Sequence, residues 1–312
     1  MIDPARFAPW VSDEAAAAFR ATLVSPPAAP AHGDIAAARL HWDAFNQRHL
    51  DTALAHNDVQ IVPDEIGCVP VKVVTPSAGA ANDRTLLCLH GGAFMWGRGA
   101  GAVLEAAPVA ATTGCRVIAV EYALAPERIF PAAVDDVFAV YRALCARQSA
   151  KSIGIYGCSA GAILTAQVTA RMIAEGFAVP GAIAMLCGTG LEMLGDSAAS
   201  AASFNGHDDN PESLGLAGLP YFAGADIADP LVFPGGHPEI LARFPPSLSV
   251  TGTRDFAASS VTVMHRRLAA AGTDARLLHF DGMGHAFHMA TTLPEARETF
   301  AALARFFGTH LG

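Results

Sequence analysis

The sequence predicts an α/β protein whose mostly parallel sheet is covered by helices on both faces. From residue 59 onward, short apolar runs alternate with helical segments of ten to twenty residues, and this alternation is typical of parallel strands joined by crossover helices. The 312 residues are 52% hydrophobic and only 16% charged, with 29 glycines, which favours one large globular core. We therefore expect a single domain over residues 1–312.

The N-terminal part of the chain is expected to be helical. Ser12 can cap a first helix that runs to about Thr22, and a proline-rich break follows at residues 25–30. Asp34 can cap a second helix, because aspartate accepts hydrogen bonds from the first free N–H groups of a helix. The apolar side chains of that helix recur at three- and four-residue spacing: they are Ile35, Ala38, Trp42 and Phe45. These helices could be a packing layer or could cover the mouth of a site.

Eight apolar runs have the length of strands. The first two are expected to pair antiparallel at one edge of the sheet. The last is expected at an edge, where it could pair with a second copy of the chain to form a homodimer. The runs lie at residues 59–62, 69–74, 86–89, 117–121, 152–156, 182–186, 248–251 and 276–280. Helices are expected at residues 131–147, 162–175, 259–271 and from about residue 294.

One long stretch, residues 189–234, interrupts this alternation. It contains no clear strand, but several large apolar side chains occur amid glycines, aspartates and asparagines: Phe204, Leu214, Leu216, Leu219, Tyr221 and Phe222. Lids commonly lie in insertions at the carboxyl ends of strands in such sheets. We expect this stretch to act as a lid; the alternative is a loop with no part in the site.

Charge and hydropathy argue against several function classes. The formal net charge is −9, and the chain has neither a basic cluster suited to nucleic acid nor a polybasic helix suited to a membrane surface. No run approaches the roughly 18 uninterrupted apolar residues of a membrane span. Residues 1–6 lack the apolar core of a secretory signal. We therefore expect a cytoplasmic protein that acts on a small molecule.

The cysteines and histidines suggest neither disulfides nor a metal centre. Six cysteines are scattered without paired spacing and are expected to be reduced core thiols: Cys68, Cys88, Cys115, Cys145, Cys158 and Cys187. Of the twelve histidines, His285 and His288 are the one close pair on a plausible site, and they lack carboxylate or cysteine companions at ligand spacing. We expect no metal and no other cofactor.

The stretch Gly157-Cys158-Ser159-Ala160-Gly161 places a serine at the turn from a predicted strand to a predicted helix. Such a sharp turn exposes the serine hydroxyl, and the flanking glycines let strand and helix approach each other. Ser159 is therefore the candidate nucleophile. The N–H of Ala160 lies where free donors and the helix dipole favour negative charge, so it is a candidate oxyanion donor.

A serine nucleophile needs a base to take its proton, and the base needs a carboxylate to orient it. Asp255 follows the strand at 248–251, and His285 follows the strand at 276–280. Acid followed by histidine is the chain order expected after a nucleophile in this kind of sheet. Asp255 is therefore the candidate acid and His285 the candidate base.

Local alternatives exist for both partners. Asp255 could instead be a helix N-cap, a role that aspartate often takes. His288 is the main rival of His285, and Asp281 is the second choice for the acid. His279 lies inside a strand pattern and is expected to be packed.

Consecutive glycines follow the predicted strand at 86–89, in the stretch His90-Gly91-Gly92-Ala93-Phe94. They would let backbone N–H groups turn toward a carbonyl and stabilise an oxyanion in the transition state. Gly91 and Gly92 are therefore candidate donors beside Ala160. A tight turn without a catalytic role is the alternative.

Together these segments resemble the bacterial hormone-sensitive-lipase-like family of α/β-hydrolase esterases, from about Leu86 to the C-terminus. The resemblance rests on residues 90–93, 157–161 and 121–136, and on the surroundings of Asp255 and His285. It implies an α/β-hydrolase fold with a mostly parallel eight-stranded sheet, helices on both faces and a helical cap from residues 1–56 and about 189–234. It also makes a homodimer reasonable.

Two residues depart from the family pattern. Ala93 stands where the family usually has a third glycine, and its N–H is retained if the residue keeps a negative φ. Cys158 stands where many members have aspartate, which removes a charge beside the nucleophile. Cys158 is a less suitable nucleophile than Ser159, because the turn presents its central residue.

The resemblance and the four strand-end segments predict a serine carboxylesterase that hydrolyses small to medium acyl esters through an acyl-enzyme. Alternatives are lactone, carbamate or amide hydrolysis by the same groups, or a non-catalytic small-molecule receptor. The presence of both Ser159 and His285 argues against the receptor. Candidate pocket walls, each of which could equally belong to the core, are the aromatic side chains of the cap together with Phe94, Met95, Trp96, Phe256 and Phe287.

Overall fold

The computed structural model describes residues 5–24, 34–201 and 215–312. Within these ranges the chain forms eight strands and nine α-helices. Three parts of the sequence prediction lie outside the described residues: the proline-rich break at residues 25–30, most of the stretch 1–6, and Phe204 and Leu214 of the expected lid.

The eight strands form one sheet in the order β1-β2-β4-β3-β5-β6-β7-β8. The pairs β1–β2 and β2–β4 are antiparallel, and the remaining pairs are parallel. The strands are β1 Val59–Ile66, β2 Val69–Pro76, β3 Thr85–Leu89, β4 Arg116–Val120, β5 Ile153–Cys158, β6 Ala182–Leu186, β7 Ser247–Arg254 and β8 Ala275–Gly284. The predicted fold class is confirmed, with the antiparallel pair at one edge and β8 at the other.

Several strands are longer than the sequence indicated, and β7 continues past Thr251 to Arg254. β1 continues past Val62 through Pro63, which pairs with Lys72 of β2. Proline is tolerated there because β1 is an edge strand, whose outward N–H groups have no neighbour to bond. β8 continues past Phe280 to Gly284, alongside the end of β7.

Helices cover the two faces of the sheet. They are α1 Asp13–Val24, α2 Ile35–His56, α3 Ala100–Thr113, α4 Ala132–Cys145, α5 Ala160–Ala174, α6 Asp196–Ala201, α7 Pro238–Leu241, α8 Ala258–Ala270 and α9 Pro294–His310. The predicted caps are confirmed: the N–H of Ala15 donates to Ser12 Oγ at 3.1 Å, and the N–H of Ala37 donates to Asp34 Oδ1 at 2.9 Å. In the described parts of the chain, no helix is both long and apolar enough to cross a membrane.

Helix α3 connects β3 to β4 and is buried along most of its length. Residues 101–110 are all buried, including Pro108 and the single carboxyl group, Glu105. A helix that is apolar on every side is one that packs inside the protein. This position brings Glu105 close to the ends of the central strands.

Helix α2 lies over the strand ends and is fastened there by Arg39. The guanidinium donates to the carbonyl oxygens of Met95 at 2.8 Å and Ala125 at 2.9 Å, and to Glu127 Oε1 at 2.7 Å. The indole of Trp42 stacks on that of Trp96, with ring centroids 5.9 Å apart. The second predicted helix thus covers the carboxyl ends of the strands.

The described part of residues 189–234 contains α6 and several single-turn helices, including Leu216–Gly218 and Pro220–Phe222. The side chains of Tyr221 and Phe222 are buried. Tyr221 stacks on Phe94 with ring centroids 4.0 Å apart and meets Phe130 edge-on. This segment packs against the loop after β3, and its role as a lid stays a prediction.

Candidate active site

The turn from β5 to α5 holds Ser159 in a left-handed conformation, with φ of 54°. A Cβ on Gly161 would overlap the carbonyl oxygen of Leu89, and a Cβ on Gly157 would lie 2.5 Å from the carbonyl group of Gly161. Only glycine fits at these two positions, because β3, β5 and α5 come so close together. The serine hydroxyl is thereby placed at the carboxyl edge of the sheet, where the sequence predicted it.

The structure brings Ser159, His285 and Asp255 into one hydrogen-bonded row. His285 Nε2 lies 2.9 Å from Ser159 Oγ, and His285 Nδ1 lies 2.8 Å from Asp255 Oδ1. The lengthened strands explain this proximity, because Arg254 of β7 pairs with Gly284 of β8. The residues that follow this pair, Asp255 and His285, are therefore side by side.

Asp255 is completely buried and accepts several hydrogen bonds. Its Oδ2 accepts from the hydroxyl of Thr251 at 2.7 Å, and its Oδ1 accepts from the N–H of Ala257 at 2.9 Å. Burial alone would raise the pKa of this carboxyl group, but His285 and these donors outweigh it and hold the pKa below its usual value. Asp255 is thus an ionised partner for His285. It is not the N-cap of α8, a position held by Ala257.

The rival residues have other surroundings. Asp281 accepts from Trp10 Nε1 at 2.9 Å and from the hydroxyl of Thr253 at 3.0 Å, so it holds the N-terminal segment. His288 is buried, and burial lowers its pKa to about 4. The expectation that His279 is packed is wrong, because its side chain is exposed on the edge strand β8.

The N–H of Gly91 is not available to an oxyanion, because it donates to Glu105 Oε1 at 2.7 Å. The prediction for Gly91 is therefore wrong. The N–H groups of Gly92, Ala93 and Ala160 have no hydrogen-bond partner among the described residues. Free donors beside the nucleophile are what an oxyanion requires, so Gly92 and Ala160 stay candidates and Ala93 replaces Gly91.

Ala93 does not keep the negative φ that the sequence interpretation required. Its φ is 51°, and that of Phe94 is 60°. Two successive left-handed residues turn the chain back sharply after Gly92, and the buried ring of Phe94 is held by its stack on Tyr221. The packing of Phe94 thus supports a backbone conformation that L-residues seldom adopt.

Glu105 was missed by the sequence analysis, although one carboxyl group in the apolar run of α3 was a visible signal. It is fully buried, and burial raises its pKa to about 8 against the opposing effect of hydrogen bonds from the N–H groups of Gly91 and Cys158. Its carboxyl group is therefore mostly protonated at neutral pH. It connects the glycine loop after β3 to the serine turn after β5.

A cavity of about 200 Å³ opens onto Ser159 and His285. Of the predicted pocket walls, Trp96 and Phe256 line it, and Phe256 stacks on the ring of His285 with centroids 4.0 Å apart. Helix α2 contributes Trp42 and Phe45, two aromatic side chains of the expected cap that lie on the apolar stripe identified in the sequence. Residues 189–201 and 215–234 contribute none of its lining.

The other predicted pocket walls lie elsewhere. Phe287 lines a neighbouring cavity of about 440 Å³, which shares Trp42, Phe45 and His285 with the first. Phe94 and Met95 line neither cavity. The assignment of Phe94 is corrected, because its ring points into the core and stacks on Tyr221. Met95 is also buried.

Residues 86–289 match the family described as the alpha/beta hydrolase fold. The chain belongs to this family. Among curated relatives, the Mycobacterium tuberculosis protein LipR, whose name describes an acetyl-hydrolase, is 31% identical over 250 residues, which are 79% of each chain. An acetyl-hydrolase of Streptomyces hygroscopicus is 27% identical over 88% of this chain and 94% of its own.

Solved structures agree with this assignment. The esterase E25 has a TM-score of 0.82 and 29% identity, covering 100% of this chain and 98% of its own. An esterase from the bacterial hormone-sensitive lipase family has a TM-score of 0.81 and 26% identity, covering 96% and 98%. The predicted resemblance to the hormone-sensitive-lipase-like branch of the α/β-hydrolase esterases is thus confirmed.

Of the six cysteines, Cys68 is exposed and Cys145 is partly buried, so the prediction of core thiols is wrong for these two. The other four are buried, and all six are free thiols. The sequence spacing indicated no cysteine companions for His285 and His288, but the fold brings two cysteines close to His288. Ligand atoms of Cys158, Cys187 and His288 lie within 4.8 Å of one another, although the residues are far apart in sequence.

Proposed function

We propose that this α/β-hydrolase is a serine carboxylesterase that cleaves small to medium acyl esters through an acyl-enzyme. The observation that carries the proposal is the position of His285, within hydrogen-bond distance of both Ser159 Oγ and a buried, ionised Asp255. A histidine held in this way can accept the serine proton while the carboxylate stabilises the imidazolium that forms.

In the first half of the reaction, Ser159 Oγ attacks the ester carbonyl as His285 takes its proton. The negative charge that develops on the carbonyl oxygen is stabilised by the free N–H groups of Gly92, Ala93 and Ala160. Because the turn that carries Ala160 begins α5, the helix dipole adds to this stabilisation. His285 then protonates the departing alcohol, and the acyl group remains on Ser159.

In the second half, water attacks the acyl-enzyme, and His285 takes the water proton as it took that of Ser159. The tetrahedral oxyanion forms at the same three donors. Collapse of this intermediate releases the carboxylic acid, and the proton on His285 returns to Ser159 Oγ. Asp255 stays ionised throughout and keeps the imidazole oriented.

The pocket favours short acyl groups. A volume of about 200 Å³ bounded by Trp42, Trp96 and Phe256 is small beside drug-sized ligand sites of about 300–1,000 Å³. The acetyl-hydrolase names of two curated relatives point the same way. Lactone, carbamate and amide substrates would use the same groups and stay alternatives.

The test is a panel of nitrophenyl esters of increasing acyl length, assayed with wild-type protein and Ser159→Ala. We expect hydrolysis that is fastest for short acyl groups and is abolished in Ser159→Ala. Ser152→Ala, directly before β5, is a matched control that should retain full activity. No turnover of any ester by pure wild-type protein would refute the proposal, and activity that survives in Ser159→Ala would place the nucleophile elsewhere.

A further inference from the structure

Three soft metal ligands meet behind the candidate nucleophile. Cys158 ends β5, Cys187 directly follows β6, and His288 lies in the short helix Phe287–Met289. Their ligand atoms are within 4.8 Å of one another, and all three residues are buried. Zn²⁺ binds cysteine sulfur at about 2.3 Å and histidine nitrogen at about 2.1 Å, so one ion could reach all three after a slight contraction of the cluster.

The imidazole of His288 is suited to binding a cation. Its Nδ1 is buried and has no hydrogen-bond partner among the described residues, whereas buried polar atoms in proteins are almost always paired. Neutral imidazole is the form that coordinates metals.

The charges of the cluster balance those of a divalent cation. Cys158 and Cys187 each lose one proton on coordination, and two thiolates neutralise one M²⁺ ion. A neutral buried site avoids much of the cost of burying an unpaired charge. Cys187 Sγ already lies 3.3 Å from the N–H of Ala286, a donor that can stabilise a metal-bound thiolate.

The cluster lies next to the active-site cavity. Cys158 is one of the residues that line the cavity at Ser159, so the buried cluster lies directly behind the wall of the path that a substrate takes. The thiol of Cys187 lies behind that of Cys158 on the neighbouring strand, because Cys158 pairs with Leu186 across β5 and β6.

We propose that Cys158, Cys187 and His288 form a binding site for one thiophilic divalent cation, Zn²⁺ or Cd²⁺, and that its occupancy inhibits the hydrolase. The inhibition rests on the proposed esterase function. Cys187 Sγ also lies within 4.8 Å of ligand atoms of Asp255 and His285. Drawing Cys187 and His288 onto an ion would shift the segment that carries His285 and break its contact with Ser159.

The binding test is a Cd²⁺ titration of reduced, chelator-free protein, followed by the ultraviolet sulfur-to-cadmium charge-transfer band. The parent is the double variant Cys68→Ser/Cys145→Ser, which removes the two less buried thiols and should retain basal activity. We expect one Cd²⁺ per chain, and loss of the band when Cys158→Ser or Cys187→Ser is added. His288→Asn should weaken Cd²⁺ binding at least tenfold.

X-ray absorption at the cadmium edge of the loaded parent protein needs no further variant, so it decides the question even if a cysteine variant fails to fold. Two sulfur neighbours with at least one nitrogen neighbour support the site. An absent charge-transfer band, a band that persists in both cysteine variants, or a coordination shell without sulfur would overturn it.

Inhibition is tested separately on the same parent protein with a nitrophenyl ester. Stoichiometric Cd²⁺ or Zn²⁺ should abolish most hydrolysis, and EDTA should restore it. Full activity of the loaded enzyme would overturn the inhibitory role. Because metal binding is read from spectra, its failure can be distinguished from a failure of the esterase proposal.

Discussion

The strand-end loops that carry Ser159, Asp255 and His285 are held very differently from helix α2, which covers them. Buried hydrogen bonds fix the loops, since Asp255 accepts from Thr251 and from backbone while no part of it is exposed. Helix α2 packs against α3, where its Leu50 and Ala53 are buried, and it is held over the strand ends by Arg39, whose partner Glu127 is largely exposed, and by aromatic stacking. The comparison teaches that the loops should govern the rate of the chemical step, whereas α2 should govern substrate binding and selection.

The largest effect should come from Asp255→Asn. The amide cannot stabilise the imidazolium of His285 and favours the wrong tautomer, so kcat should fall by about 10⁴-fold. Steady-state kinetics on a nitrophenyl ester measures the loss. Asp281→Asn, on the neighbouring strand β8, is the matched control and should leave kcat within a few-fold. A larger loss there would reverse the assignment of the acid.

A smaller effect in the same region is expected for Glu105→Leu. Leucine leaves the buried N–H of Gly91 without an acceptor, which costs about 1–3 kcal/mol, and loosens the loop that presents Gly92 and Ala93. We expect kcat to fall roughly 10- to 100-fold, within the range that such an energy allows. KM should change little. Glu105→Gln keeps a neutral acceptor and should restore most of kcat.

The pH profile distinguishes a positioning role of Glu105 from simple packing. Because burial raises its pKa to about 8, the carboxyl group is neutral below that pH and becomes negative above it, close to the developing oxyanion. The wild-type kcat should therefore decline as pH rises through about 8, and Glu105→Gln should lack that decline. The free energy of unfolding should fall as pH rises from about 4.5, the ordinary pKa of a glutamate, to about 8, because over that range the folded state holds this proton and the unfolded chain has lost it. Identical alkaline profiles, measured with EDTA present, would exclude the role.

In helix α2, Arg39→Met should raise KM about tenfold and leave kcat within a factor of about two. The reason is that α2 loses its hydrogen bonds to Met95, Ala125 and Glu127. Arg48→Met, on the exposed face of the same helix, is the matched control and should behave as wild type. If Arg39→Met instead lowers kcat at constant KM, α2 contributes to the chemical step, and the proposed division of roles between the strand-end loops and α2 is wrong.

The smallest effect is expected for Phe45→Ala, which enlarges the cavity at Ser159. Its kcat/KM should shift toward longer acyl chains by roughly 10-fold or less relative to acetate, as is usual for one apolar contact. The nitrophenyl ester panel measures this shift. An unchanged chain-length profile would show that α2 does not face the acyl group.

Sequence patterns were sufficient for the sheet and for the row of three polar residues. Ser159, Asp255 and His285 each follow a recognisable strand, and the carboxyl ends of parallel strands meet at one edge. The oxyanion donors could not be fixed in the same way. Which N–H of the glycine loop is free depends on Glu105, fourteen residues further along the chain, and α3 shows no two-faced pattern that would orient that carboxyl group.

The wrong assignment of a pocket wall and the failure to group the possible metal ligands have one physical cause. In both cases the contacts join segments that are distant in sequence. Phe94 was predicted to be a pocket wall, but its ring stacks on that of Tyr221 in the core. The pocket side chains Trp42 and Phe45 lay on a recognised apolar stripe, whose partner the spacing does not specify. Cys158 and Cys187 become neighbours only through the strand order β5–β6, which their spacing in sequence does not reveal.

Because Ala93 and Phe94 are both left-handed, a substitution outside the cavity can remove the activity of the hydrolase without unfolding it. Each such L-residue costs about 1–2 kcal/mol, so this turn persists only while surrounding groups oppose its relaxation, among them the Phe94–Tyr221 stack. A substitution at Tyr221 in a descendant of this protein could let the turn relax while the sheet stays intact. The chain would then still fold, accumulate and resemble its relatives, yet hydrolyse nothing. Substitutions in segment 215–234 can therefore abolish hydrolysis, although these residues do not line the cavity.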